Sequence, residues 1–249
     1  MERQKIKTEL LVHDLKGPLA IIEASVISLL ERNEKYGPLT EKQKKVLERV
    51  LRNTKITRTL VNDTLEVGRS SEGILIKSEF DISVLIKETL VEIFDLNDHR
   101  IAEEVKDTEE FDRLKDILNE TGIHLLFEKA LWHEKVYLDE GKMRQIFRNL
   151  MNNALKYRRQ VVEINIIKEN NFIVFSIHDD GEGIPESFHE KIFECYFQMD
   201  HDRQFCVRGH GLGLAGVQVL VEDMGGELLL ESHQGGGAIF SVRIPLSGV

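Results

Sequence analysis

Only two cysteines, Cys195 and Cys206, occur in 249 residues. That excludes a disulfide framework and points to a reducing, cytoplasmic compartment. No apolar run approaches the roughly 18–20 residues a membrane helix needs, and no signal peptide opens the chain. Direct membrane contact is therefore not expected. An excess of cations is missing too. The net charge of −10 argues against nucleic acid or an anionic membrane as the main partner, although local basic patches such as Lys42, Lys44 and Lys45 remain. Repeats and low-complexity tracts are absent. What is present, 41% hydrophobic and 31% charged residues, is ordinary globular material with room for two domains of about 100–150 residues each. Met1 leads straight into a charged helix, so the sequence reads as the cytoplasmic piece of something longer.

Residues 2–33 read as one helix. Val12, Leu15, Leu19, Ile22, Val26 and Leu29 follow alternating spacings of three and four, a heptad seam that should bury against other helices. His13 takes the position after a seam residue and so should face water, where an imidazole can serve as a nucleophile. Asp14 follows it, and Pro18 removes a backbone donor five residues on. Taken alone, this describes a surface histidine on a bundle helix equally well. After a break at residues 33–39, Thr40 caps a second helix, with Gln43 placed for a capping box. That helix should run to about Val67 and stop at the Ser/Gly-rich residues 68–73. Two such helices make an antiparallel hairpin. Pairing two hairpins into a four-helix bundle buries both apolar stripes, which predicts a homodimer.

The pattern changes from Phe80. Helices are predicted at 82–95, through the charged segment 97–120, at 142–157 and at 212–224. Strands are predicted at 123–127, 136–138, 161–168, 172–178, 227–232 and 238–244. This is an α/β sandwich with helices on one face of a mixed sheet, making the whole chain α+β.

Three clusters in this half share a theme. Asn149 and Asn153 lie one turn apart on a helix, with Lys156 a turn further and Tyr157 beside it. Amide carbonyls plus an ammonium suit Mg²⁺ and phosphate together, because Mg²⁺ keeps waters and takes few protein ligands. A polar helix face without a ligand fits equally well. Asp179-Asp180-Gly181-Glu182-Gly183-Ile184-Pro185 follows a strand. A carboxylate there can accept from a heterocyclic amino group, with glycines allowing close approach, and an acidic turn is the plainer reading. Gly209-His210-Gly211-Leu212-Gly213-Leu214 presents backbone N–H groups entering a helix, a weak phosphate-binding signal by itself. The apolar residues 192–197 precede it.

In order and spacing these segments resemble the boxes of a sensor histidine kinase with a HisKA dimerisation and phosphoacceptor domain. The second half is similar to the Bergerat-fold (GHKL) ATP-binding domain shared with Hsp90, gyrase B and MutL. The resemblance implies domains at 1–73 and 74–249, ATP and Mg²⁺ as cofactors, a homodimer, and a response-regulator receiver domain as partner. It implies that His13 takes the γ-phosphoryl group through Nε2, and that Asp14 orients the imidazole and accepts its other proton. Asn149 and Asn153 correspond to the phosphate-side asparagines, with Asn153 the Mg²⁺ ligand and Asn149 also assigned a catalytic part. Lys156 corresponds to a phosphate contact and Tyr157 to a pocket wall. Asp179 corresponds to the adenine-reading carboxylate, with Gly181, Gly183 and Ile184 beside it. Gly209, His210, Gly211, Leu212, Gly213 and Leu214 correspond to the end of an ATP lid.

The departures are specific. Gly17 stands where threonine or asparagine often positions water for dephosphorylation, so a phosphatase by that route is not implied. Gln198 replaces a frequent arginine or lysine, and Arg203 or Arg208 is the expected source of that charge. His210 stands where threonine is usual. Residues 95–119 read as an insertion without an assigned mechanism. Cys195, His201, Cys206 and His210 fit no usual zinc spacing. The remaining histidines, His99, His124, His133, His178, His189 and His233, read as surface or core residues. A nucleotide-binding scaffold that docks a response regulator without kinase activity is the alternative function. An ATP-driven clamp of the Hsp90 or MutL type would need a long further dimerising domain.

Overall fold

A computed structural model describes residues 2–70, 75–95, 98–194, 197 and 213–246, with the main chain alone described for 2–14, 33, 55–56, 59–60 and 62–70. The chain divides into two compact units, Met1–Glu72 and Gly73–Val249.

The first unit is helical. Helix α1 (Glu2–Glu31) runs unbroken past Pro18, a short α2 (Asn33–Tyr36) fills part of the expected break, and α3 (Glu41–Ser70) follows. Thr40 starts α3 as predicted. Its N–H donates to Gln43 Oε1 at 2.9 Å while the Gln43 N–H donates to Thr40 Oγ1 at 3.3 Å, a reciprocal capping box. Helix α3 extends three residues beyond the predicted stop, and residues 71–74 lie outside the description. Across the hairpin, Leu19 packs on Val61 and Arg58 Nη1 donates to Glu23 Oε2 at 2.6 Å. The heptad seam is only half used within one chain. Val26 is 6% exposed, but Leu15 is 42% and Ile22 is 43% exposed.

The second unit begins with β1 (Ser78–Asp81), α4 (Ile82–Asp95), α5 (His99–Asp107), α6 (Phe111–Glu120), β2 (Ile123–Leu125), α7 (Lys129–Trp132) and β3 (Lys135–Leu138). Then come α8 (Glu140–Tyr157), β4 (Val162–Glu169), β5 (Phe172–Asp179), two 3₁₀ turns at Glu186–Phe188 and Lys191–Phe193, α9 (Gly213–Asp223), β6 (Glu227–Ser232) and β7 (Ala238–Pro245). A five-stranded sheet runs β2-β4-β5-β7-β6, parallel only between β2 and β4, while β1 and β3 pair antiparallel apart from it. Strands β5 and β7, and β4 over its first five residues, alternate buried and half-buried residues, so one face meets the helices. The helical layer supplies Leu85, Leu90, Phe147, Leu150 and Val221 to a single core.

Two sequence expectations change. Strand β1 and helix α7 were not foreseen, since both are four residues long and exist through what they pair with or pack on. The helix expected through 97–120 is broken at 108–110 into α5 and α6, and both pieces pack into the core. Ala102, Val105, Leu114 and Leu118 are buried in the core, and the Phe111 ring lies 5.3 Å from the rings of both Phe127 and Trp132. Alternating burial along α5 and α6 converts a charged stretch into a packed crossover leading to the parallel strand β2.

No helix among the described residues is long and apolar enough to cross a membrane.

Candidate functional site

Helix α8 is the platform of the site. It starts two residues before the predicted boundary, because Asp139 caps it: Oδ1 accepts from the Lys142 N–H at 3.0 Å and Oδ2 from the Ile76 N–H at 2.8 Å. Ion pairs anchor it laterally. Lys142 Nζ lies 2.7 Å from Asp223 Oδ2 at the end of α9, and Arg144 Nη1 lies 2.5 Å from Glu88 Oε2 on α4. Met143, Ile146, Phe147, Leu150, Met151 and Ala154 bury the inner face, leaving Asn149 and Asn153 half-buried one turn apart. Asn149 Nδ2 donates to the Gly213 carbonyl at 3.4 Å, so this side chain joins α8 to the first turn of α9. Lys156 Nζ donates to Tyr157 Oη at 2.8 Å and sits 4.5 Å from that ring's centre, on the exposed end of the helix.

Asp179, the last residue of β5, is 3% exposed. Its Oδ1 accepts from the Gly181 N–H at 2.9 Å. Burial pushes its carboxyl above the ordinary range, against the opposing pull of the Gly181 N–H and of His178. A buried acid at a strand end is costly unless something else claims its lone pairs. The surrounding backbone is close enough to form a slot. A Cβ on Gly181 would come within 2.5 Å of the Tyr157 carbonyl and 2.6 Å of Asp179 Oδ1. Gly183 has φ +72, and a Cβ there would lie 2.0 Å from the His233 carbonyl. Ile184 is buried, and its N–H donates to Ser232 Oγ at 2.8 Å, which in turn donates to the Gly237 carbonyl at 2.6 Å. The turn after β5 is thereby pinned to the β6–β7 turn.

The end of α8, the end of β5 and the Gly181–Ile184 turn thus meet, while the start of α9 (Gly213 and the half-buried Leu214) joins α8 further back, at Asn149. His13 and Asp14 lie on α1, among the residues whose side chains are not described. Arg203, Arg208, Gly209, His210, Gly211 and Leu212 lie outside the described residues, as do Gln198, Cys195, His201 and Cys206.

Three contributors escaped the sequence reading. Asp180 accepts from the Arg159 N–H at 2.8 Å and the Gln160 N–H at 3.0 Å, tying the chain after α8 to the end of β5. Its carboxyl is held below the ordinary range: burial, the largest single effect, raises it, and the N–H groups of Gln160, Val161 and Arg159 together outweigh that. Gly237, with φ +76, lets backbone approach the Asp179 carbonyl, where a Cβ would stand 1.9 Å away. Asp139 is the third. In the sequence, Asp180 was one letter of an acidic turn and Gly237 one of three hairpin glycines, so neither carried a separate signal.

The fold and this slot define a domain of the Bergerat type. Residues 138–248 match the family of histidine kinase-, DNA gyrase B- and HSP90-like ATPases, and residues 9–73 match the His Kinase A (phospho-acceptor) domain. Together the two matches span most of the chain and give it the domain pair of a sensor histidine kinase. Among similar proteins, the adaptive-response sensory kinase SasA of Crocosphaera subtropica is 27% identical over 98% of this chain and 61% of its own length. The circadian input-output histidine kinase CikA of Synechococcus elongatus is 29% identical over 94% of this chain and 29% of its own length. Sensor histidine kinase YkoH of Bacillus subtilis is 29% identical over 93% of this chain and 45% of its own length. The chain therefore spans about three fifths or less of these relatives. In fold it resembles full-length ShkA, solved with AMPPNP, at a TM-score of 0.68 and 24% identity over 98% of this chain and 46% of that one. Histidine kinase AdeS of Acinetobacter baumannii gives 0.58 at 18% identity, over 95% of this chain and 98% of that one.

Proposed function

We propose that this chain is the autokinase part of a two-component sensor. Residues 74–249 bind ATP, residues 1–73 dimerise and present His13, and the phosphoryl group passes on to an aspartate of a response-regulator receiver domain. In the first step His13 Nε2 forms a bond to the γ-phosphorus while the bond to the bridging oxygen breaks and ADP leaves. Asp14 holds the imidazole and takes its other proton. The phosphoryl group then moves from nitrogen to a carboxylate oxygen of the receiver. Such transfers depend mainly on placement and charge neutralisation.

The observation that carries this reading is the buried Asp179 carboxylate in its glycine slot. A strand-end acid whose pKa is raised by burial gains most from a ligand that donates a hydrogen bond to it, as an adenine amino group does. Gly181, Gly183 and Ile184 form the wall beside the base, Tyr157 flanks it, and Asn149, Asn153 and Lys156 face the phosphates. The sequence 209–214, from Gly209 and His210 through Gly211 and Leu212 to Gly213 and Leu214, covers the phosphates in this reading, with Arg203 or Arg208 supplying positive charge. The donors also fit Mg²⁺: the half-buried Asn153 would offer its amide oxygen to an ion that keeps waters and takes few protein ligands. When bound, the ion neutralises phosphate charge. The exposed seam at Leu15 and Ile22 supports dimerisation, because a second hairpin is what would cover it.

Purified chain given labelled ATP and magnesium is expected to acquire an acid-labile, alkali-stable phosphate that is lost in His13→Gln. Nucleotide bound without any label on the wild-type chain would instead leave a nucleotide-binding scaffold. Single alanine substitutions at Arg203 and Arg208 test the lid charge, and unchanged labelling rates in both would remove it.

A further inference from the structure

Strand β6 ends the five-stranded sheet, with β7 its one partner among the described residues. Its helix-facing residues Leu228 and Leu230 stay half-buried, whereas the equivalent positions of β4, β5 and β7 are buried. Beside the strand opens a cavity of about 230 Å³, floored by Phe193, Val221 and Leu228 and rimmed by Glu222 and Glu227. An edge strand offers outward N–H and C=O groups to an added strand. Because side chains alternate, a strand laid there sets every second residue on the face of Leu228, at the cavity, and Leu230 beyond it, and the others beside Glu227, Leu229 and Glu231. Leu229 is 44% exposed between those two carboxylates.

We propose that this edge and cavity bind an extended basic peptide segment of a partner protein by strand addition. Its alternate apolar side chains enter the cavity and its lysines or arginines pair with Glu227 and Glu231. The charge decides the occupant: Glu222 and Glu227 rim the apolar floor and Glu231 lies exposed further along the same edge strand, so an acidic segment is disfavoured where an apolar, cation-flanked one fits. The surface lies apart from the Asp179 slot, and the inference stands whether or not the chain is a kinase.

The probe is the pentapeptide Lys-Leu-Val-Leu-Lys with capped ends, whose pattern reads the same in either strand direction. Titrated into the labelled chain, it is expected to give saturable amide shifts at residues 227–231 and in the first half of β7. Replacing both lysines with glutamate, or methylating the backbone nitrogens, should remove them. The double variant Glu227→Lys, Glu231→Lys should weaken binding about tenfold, two exposed ion pairs being replaced by like-charge contacts. Both positions are exposed, so an unchanged amide spectrum elsewhere and intact nucleotide binding verify the fold. Absent shifts, equal binding of the glutamate peptide or of the methylated peptide, or shifts centred on another element overturn the proposal. So does concentration-dependent pairing of β6 with a second copy that the peptide leaves unaffected.

Discussion

The two units solve the burial problem in opposite ways. Gly73–Val249 closes its own core: leucines, isoleucines and aromatics of α4, α6, α8 and the sheet are almost fully withdrawn from water. In Met1–Glu72 the described large apolar residues that are buried are Val26 and Val61, while Leu15, Ile21, Ile22, Val46 and Val50 stay exposed. A two-helix hairpin has too little interior to cover a stripe on each helix. One unit is built to stand alone, the other to be completed by something else, which suits a chemistry divided between a nucleotide holder and a presented side chain.

The strongest challenge to that division is His13→Gln, which should abolish phosphoryl labelling completely while nucleotide affinity, measured by calorimetry, stays unchanged. A joint loss would mean the two regions are not separable in function. Next in size, Leu15→Ser with Ile22→Ser should convert a dimer to monomers in analytical ultracentrifugation, since each buried side chain of this size contributes about 1.5–3 kcal/mol. Unaltered sedimentation would show that the exposed stripe is not the interface. Inside the self-sufficient unit, Phe111→Ala should cost about 3–5 kcal/mol in urea unfolding, whereas Val46→Ala on the hairpin should cost little in the monomeric serine variant.

Asp179 sharpens the comparison through pH. Its folded carboxyl titrates above the unfolded one, so the stability carried by its neutral form is present below the ordinary carboxylate range and is lost as pH rises through the raised value. Asp179→Asn should therefore unfold later than wild type at neutral pH, with the two curves converging in acid, and yet bind nucleotide far more weakly. Coincident curves at all pH values would mean that the burial carries no cost. The smallest effect belongs to Thr40→Ala, about 1 kcal/mol of hairpin stability through loss of the cap, read as a lower midpoint in helix circular dichroism.

Legibility in the sequence followed signal length. Helix α4 was predicted at its observed bounds, and the capping box at Thr40 and Gln43 was readable because both partners lie within one turn. Strand β1 was not, since Ser78-Glu79-Phe80-Asp81 has little strand propensity and exists through its ladder with β3. Along residues 97–120 the helical spacing of Val105, Leu114 and Leu118 was readable, whereas the break at 108–110 and the packing of the segment into the domain core were not. At the site, Asp179 and its glycines stood in one string, but their closeness to Tyr157, Ser232 and Gly237 is a product of tertiary folding that no local pattern encodes.

Asp180 makes the pocket's span a main-chain dimension. Its carboxylate grips the two amides just past α8 while its own backbone continues β5, so the gap from the Asp179 acid to the Asn149–Asn153 face works as a fixed gauge. Side chains lining that gap can be exchanged without resetting the gauge, so under the proposed reading the choice of ligand and its permitted length are set by different parts of the chain.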